Sequence, residues 1–298
     1  MKVTTEKLKK SALKLNITVE AEKVKKAYEE ILENKVKSTK IEGFREGKAP
    51  KNMVEEKVGP SNLYGDVINA LIQTYYVQAV SEQRVNPMSN PKIDIKDFDL
   101  NKDFVFTAEI AIQPEVKVGS IKKELEKRLK DRTETLKKDN DEKVKKGEEI
   151  TVDHAHLGVN DVLELLIEKS ELEIADVLIE EETGRMLNQL MQQVKTIGLS
   201  IEDYLKAQQI TVEDLQNNYK KSAENNLKAE FIMSQMIKDD NVEVPEVEID
   251  DAFSAAGVSG VEERRKDPME RAYVKSILQK NKLITKLLEE AQGVHKHE

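Results

Sequence analysis

The sequence predicts an α+β N-terminal domain followed by an elongated all-α domain with helical arms. Three observations predict it. Strand-type and helix-type periodicities interleave up to about residue 116, helical spacing runs unbroken from Val162 onward, and a densely charged stretch lies between them. The divisions expected are 1–116 for the α+β domain, 117–160 for a charged linker or helix, and 161–298 for the helical domain.

Composition sets the frame. With 298 residues the chain has room for two domains. Charged residues make up 35% and aromatics 4%, with no Trp, so aromatic-walled pockets are scarce. The absence of Cys excludes disulfides and thiolate zinc sites. Residues 1–14 contain lysines but no continuous apolar core, which argues against a secretory signal. No stretch approaches the ~20 apolar residues that span a bilayer, so a cytoplasmic protein with no membrane partner is expected. Residues 1–112 carry 19 Lys/Arg against 17 Asp/Glu, a net of +2, and the remainder carries 29 against 40, a net of −11. That acidic half disfavours non-specific coating of nucleic acid.

Taken in order, residues 11–19 alternate apolar and polar, which suits a half-buried strand. From Ala21 the period becomes helical: Val24, Ala27, Tyr28, Ile31, Leu32 and Val36 form one stripe over a helix about 27 Å long. A second amphipathic helix is expected over residues 61–84, with Leu63, Val67, Leu71, Ile72, Tyr75, Ala79 and Val80 inward, ended by Asn86-Pro87. Strands follow at 92–95 and 103–112, the second alternating Phe104, Phe106, Ala108, Ile110 and Ile112. Two helices then cover one face of an antiparallel sheet, and the connection between them points away from it.

That connection is Gly43-Phe44-Arg45-Glu46-Gly47-Lys48-Ala49-Pro50. Glycines bracket a three-residue tip and Pro50 restarts ordered structure, the pattern of a tight exposed turn. An aromatic at such a tip invites a partner, and Arg45 and Lys48 offer donors for phosphates or carboxylates. The alternative is that Phe44 folds back on its own domain. Residues 35–57 hold seven basic and four acidic side chains, a local +3.

Residues 122–149 read as a solvated helix or linker, since Leu125, Leu129 and Leu136 give only a thin stripe. Residues 146–153 suit one short strand. In the helical half, residues 172–181 and 242–251 share an extended apolar piece, a breaker and an acid-rich helix start. Ser200-Ile-Glu-Asp203 and Thr211-Val-Glu-Asp214 have the form of capping boxes. A helix of about 40 Å is expected over 212–238, long enough for an arm. Asp267-Pro268 opens a last helix with Met269, Tyr273, Ile277, Ile284, Leu287, Leu288 and Ala291 as its stripe. Residues 294–298 read as a frayed tail.

No catalytic constellation, metal set, cofactor motif or phosphate loop is legible. His154 and His156 suit one strand face but lack further ligands, and His295 and His297 sit in the tail. Met186 and Met191, with Phe231, Met233, Met236 and Ile237 on the long helix, form a soft apolar set that either fills a core or lines a surface for unfolded chains.

The octamer resembles the ribosome-docking signature of bacterial trigger factor, Gly-Phe-Arg-x-Gly-Lys-x-Pro, at all six fixed positions. The resemblance extends over residues 1–116 and resumes from about Leu163 to Ala291. It implies a ribosome-docking domain that uses Gly43, Phe44, Arg45, Gly47 and Lys48, followed by a chaperone domain. The implied partners are ribosomal protein and rRNA of the large subunit at the exit tunnel, together with nascent or unfolded polypeptides held without ATP. A weak homodimer also fits this picture. Glu46 stands where some members carry a third basic residue. The family usually inserts a prolyl isomerase domain walled by aromatics, yet residues 107–203 contain no Phe, Tyr or Trp. A non-enzymatic chaperone is therefore expected, with a dedicated assembly adaptor or an unrecognised prolyl isomerase as alternatives.

Overall fold

A computed structural model describes residues 1–45, 47–146, 149, 154–255 and 260–292, so the expected strand at 146–153 and the tail from 294 lie largely or wholly outside the described residues. The chain divides into two compact units, each built from two segments. The first comprises Met1–Pro114 and Glu173–Ala223, the second Glu115–Leu172 and Glu224–Glu298.

In the first unit, β1 (Lys2–Lys7), β2 (Ala12–Val19), β3 (Lys92–Asp97) and β4 (Phe104–Ala111) form an antiparallel sheet of order β1-β2-β4-β3. Alternation along β2 and β4 fixes the register. Leu13, Leu15, Ile17 and Val19 pair with Ile110, Ala108, Phe106 and Phe104 and share one buried face. The helices α1 (Ala21–Ser38) and α3 (Pro60–Glu82) cover that face with Val24, Val67, Leu71 and Ala79. A chain of ring contacts from Tyr28 through Tyr64, Phe98 and Phe104 to Phe106 spans the layer. The expected strand at 92–95 extends to Asp97 through a register shift after Ile95. Its charged residues guard the sheet edge against pairing with another chain. β1 and α2 (Lys51–Val58) are additions to the expected elements.

At one end the opposite face of the sheet is also covered, and this departs from the expected domain division. Ala12 and Ala111 pack against Ala175 and Val177 at the start of α6 (Asp176–Thr196). Alanines leave room for a helix to approach closely. Charges seal the junction: Lys10 pairs with Asp176 at 2.9 Å, Lys92 with Glu180 at 3.0 Å, and the Asn90 side chain donates to Glu181 at 2.6 Å. Residues 173–223 thus belong with the N-terminal domain. Their remaining part is an arm in which α6, α7 (Ile201–Gln208) and the first turns of α8 (Val212–Asp239) enclose Leu190, Val194 and Leu215. Both expected caps are present, with Ser200 Oγ accepting from Asp203 N and Thr211 Oγ1 from Asp214 N, each at 3.1 Å.

In the second unit, α4 (Lys122–Lys146), α5 (Val159–Lys169), the rest of α8, and α11 (Pro268–Gln292) surround Leu125, Val162, Leu166, Ile232, Met233 and Leu283. The stretch expected as a solvated linker is therefore half core: Leu125 is buried and Leu129 packs beside it, whereas the later turns of α4 are solvated. Lys117 and Glu171 exchange backbone hydrogen bonds at 3.0 and 2.9 Å. A Cβ at Gly119 would lie 2.0 Å from Lys169 O, so only glycine fits this crossing. A smaller cluster of Val244, Ile249 and Phe253 joins α9 (Glu246–Ala255) to α10 (Val261–Lys266) and α11.

Candidate functional site

The loop between α1 and α2 is set by its own backbone. Gly43 and Gly47 adopt φ of 85° and 77°, values that L side chains avoid. The amide of Phe44 donates to Ile41 O at 3.2 Å and that of Lys48 to Arg45 O at 2.9 Å, closing two successive turns. The feet of the loop are anchored, because Ile41 and Ala49 are buried with Val54 of α2 in a small cluster of their own. Below it, Lys51 pairs with Glu33 at 2.8 Å and Lys35 with Asp66 at 2.7 Å. The Lys51 ammonium holds the Glu33 carboxyl below the usual carboxylate range. Burial, and then a hydrogen bond to Glu55, push the Tyr28 hydroxyl upward.

On this base the tip faces solvent. Phe44 is 42% exposed, so it does not fold back into the domain. Arg45 and Lys48 are exposed beside it, and among the described residues neither side chain has an ion-pair partner. Their charges stay available to an incoming phosphate or carboxylate, whereas the cations beneath are engaged. Glu46 lies outside the described residues.

The apolar candidates divide. Met191 is 48% exposed on α6, and Met186 is half-buried on the same helix. Met233 is buried in the core of the second unit, so the expectation of a surface role there is corrected. Its face of α8 turns inward onto α5 and α11, where it serves as filling. Met236 and Ile237 pack against that core, and Phe231 is half-buried. The exposed apolar surface lies elsewhere. Ile197 and Leu199 stand out at the turn after α6, and Met269, Tyr273 and Ile277 form an uncovered row at four-residue spacing on α11. The sequence showed this row as part of a stripe, but nothing in a stripe says which half acquires a cover. His154 and His156 line a hollow with Lys137 and Asn140, and among the described residues no group of three or more His, Cys, Asp or Glu side chains is placed to hold a metal.

The first unit is thus a sheet-and-helix domain that presents an anchored loop carrying an exposed aromatic and two exposed cations. The chain belongs to the bacterial trigger factor family: the model described as "Bacterial trigger factor protein (TF)" matches residues 1–147, and that for its C-terminus matches 132–290. Trigger factors of Clostridium tetani and Desulforamulus reducens are each 38% identical over 122 residues, and that of Staphylococcus epidermidis is 36% identical over the same length. These matches cover 41% of this chain and 28% of each relative. A solved structure described as "Promiscuous Substrate Recognition in Folding and Assembly Activities of the Trigger Factor Chaperone" superposes with a TM-score of 0.64. It covers 98% of this chain and 100% of its own at 15% identity, a likeness of fold.

Proposed function

We propose that this protein is an ATP-independent chaperone of the bacterial cytoplasm that docks on the large ribosomal subunit and receives nascent polypeptides. The observation that carries the reading is Phe44, held out by two left-handed glycines between Arg45 and Lys48, neither of which has an ion-pair partner among the described residues. An exposed aromatic covered by a partner and flanked by charge-assisted contacts is the usual anatomy of a small hot spot. Client contacts are assigned to exposed apolar side chains, Met191, Ile197 and Leu199 in the first unit and Met269, Tyr273 and Ile277 in the second. Each contributes modest area at about 25 cal/mol per Å², which suits weak, sequence-tolerant capture.

The test is co-sedimentation with ribosomes. Replacing Phe44, Arg45 and Lys48 together by alanine is expected to weaken binding at least tenfold, with the circular dichroism and melting temperature unchanged. Wild-type binding is expected to fall as salt rises, because the two cations meet charged groups. Full binding by the triple variant would remove the proposal.

A further inference from the structure

We propose that a hollow at the C-terminal end of α3 binds a carboxylate carried on a small apolar body. The hollow has a volume of about 500 Å³ and lies wholly within the first unit. Leu13, Val85 and Ile112 give it an apolar floor, uncharged polar side chains such as Gln83 and Gln113 share the lining, and Met88 is 41% exposed. Its rim carries Lys7 of β1 and Arg84, and among the described residues no Asp or Glu lines it. In a chain with 57 acidic residues and many ion pairs, neither the Lys7 ammonium nor the Arg84 guanidinium has a partner among the described residues.

Arg84 is the pointed feature. It follows the helix cap at φ 52°, a left-handed conformation in which glycine is the favoured residue. The cap itself needs only backbone: the amides of Gln83, Arg84 and Val85 donate to Ala79, Ser81 and Val80 carbonyls at 3.0, 3.2 and 3.1 Å. These bonds quiet the negative end of α3, leaving the two cations to set the local potential. The guanidinium is thus kept at a backbone position that disfavours its side chain, beside an apolar floor, with no partner among the described residues. A guanidinium fork matches a carboxylate in two parallel hydrogen bonds, Lys7 adds a point charge, and the floor takes an aliphatic or aromatic group. A volume of this size accommodates a ligand of one or two amino-acid residues. Such a carboxylate comes either from the end of a polypeptide with an apolar last residue or from a free organic acid.

The full chain, with its methionine methyls labelled, is titrated with octanoate, octanol, a short peptide ending in leucine with a free carboxylate, and the same peptide amidated. A saturable shift of the Met88 methyl is expected with a carboxylate ligand, and octanol or the amide should bind at least tenfold more weakly. Octanoate alone would identify free acids as the source, and the peptide acid alone would identify chain ends. The variant Arg84→Gly is expected to lose binding at least tenfold without any fall in melting temperature, because glycine suits the backbone there. Equal binding of acid and amide, unchanged binding by Arg84→Gly, or no saturable Met88 shift up to ~10 mM, where dissociation free energies are already below about 3 kcal/mol, would each overturn the proposal.

Discussion

Asp161 ties α4 to the start of α5 in the second unit. Its carboxylate accepts from Gly158 N at 2.8 Å, capping α5, and from Arg132 of α4 at 2.8 and 3.0 Å, with Arg128 at 3.2 Å. Burial works against the charged form, but the Gly158 amide and the two guanidiniums outweigh it, and the pKa falls below the usual 3.8. A carboxyl depressed in the folded state stabilises above its unfolded value, and that contribution is lost as pH falls through the lower folded one. The unit should therefore keep this clamp at neutral pH and weaken only under strongly acidic conditions. Asp161→Asn removes the charge and leaves two arginines facing a neutral amide. Because those arginines are 30% and 46% exposed, solvent screens part of the loss, and about 1–3 kcal/mol is expected. Urea unfolding of variant and wild type at pH 7 and pH 3 checks this: the difference should shrink at the lower pH.

At the scale of elements, α8 and α11 test how far a helical stripe can be read. Met233 and Tyr273 each belong to an apolar row in the sequence, yet one is 8% exposed and the other 65%. Met233→Ser should destabilise the protein by roughly 2–4 kcal/mol through lost burial and a hydroxyl placed in the core. Tyr273→Ser should leave stability within about 0.5 kcal/mol and lower the suppression of client aggregation. Thermal unfolding alongside a light-scattering assay with an unfolded client distinguishes the two; a stable Met233→Ser variant with poor capture would reverse the assignment. The same contrast shows what the residues disclosed in advance. β2 and β4 were legible because every second side chain is apolar, and the loop because two glycines frame Phe44. β1 escaped notice because in Lys2–Lys7 only Val3 is apolar, as an edge strand allows. α2 escaped because Val54 is its single buried residue, too little for a period. The return of residues 173–223 escaped because small side chains, Ala12, Ala111 and Ala175, make the contact. Residue type carries no trace of such a distant partner. The Arg84 hollow draws on several separate segments and has no local signature at all.

On the scale of the whole molecule, residues 117–160 supply α4 and the start of α5, and these helices serve the core of the second unit. Residues 107–203 provide no ring to wall a proline pocket. The expected outcome of a protease-coupled peptide assay is the spontaneous relaxation, over tens to hundreds of seconds, at every protein concentration. A concentration-dependent acceleration would show that a site exists outside the regions described above.

The interleaving of the two units also has a consequence in time. The chain leaves the first unit after Pro114 and re-enters it at Glu173, and the second unit waits for Glu224 and beyond. During synthesis the sheet with α1 and α3 has every partner it needs early. Its alanine face, however, stays bare until Ala175 and Val177 emerge. Leu125 and Leu166 wait longer still, until Leu283 arrives from near the other end of the chain. Contacts of such long separation close slowly and leave apolar surface uncovered in the meantime. A protein with this order of assembly passes through a stage at which it is itself an unfinished chain in want of shelter.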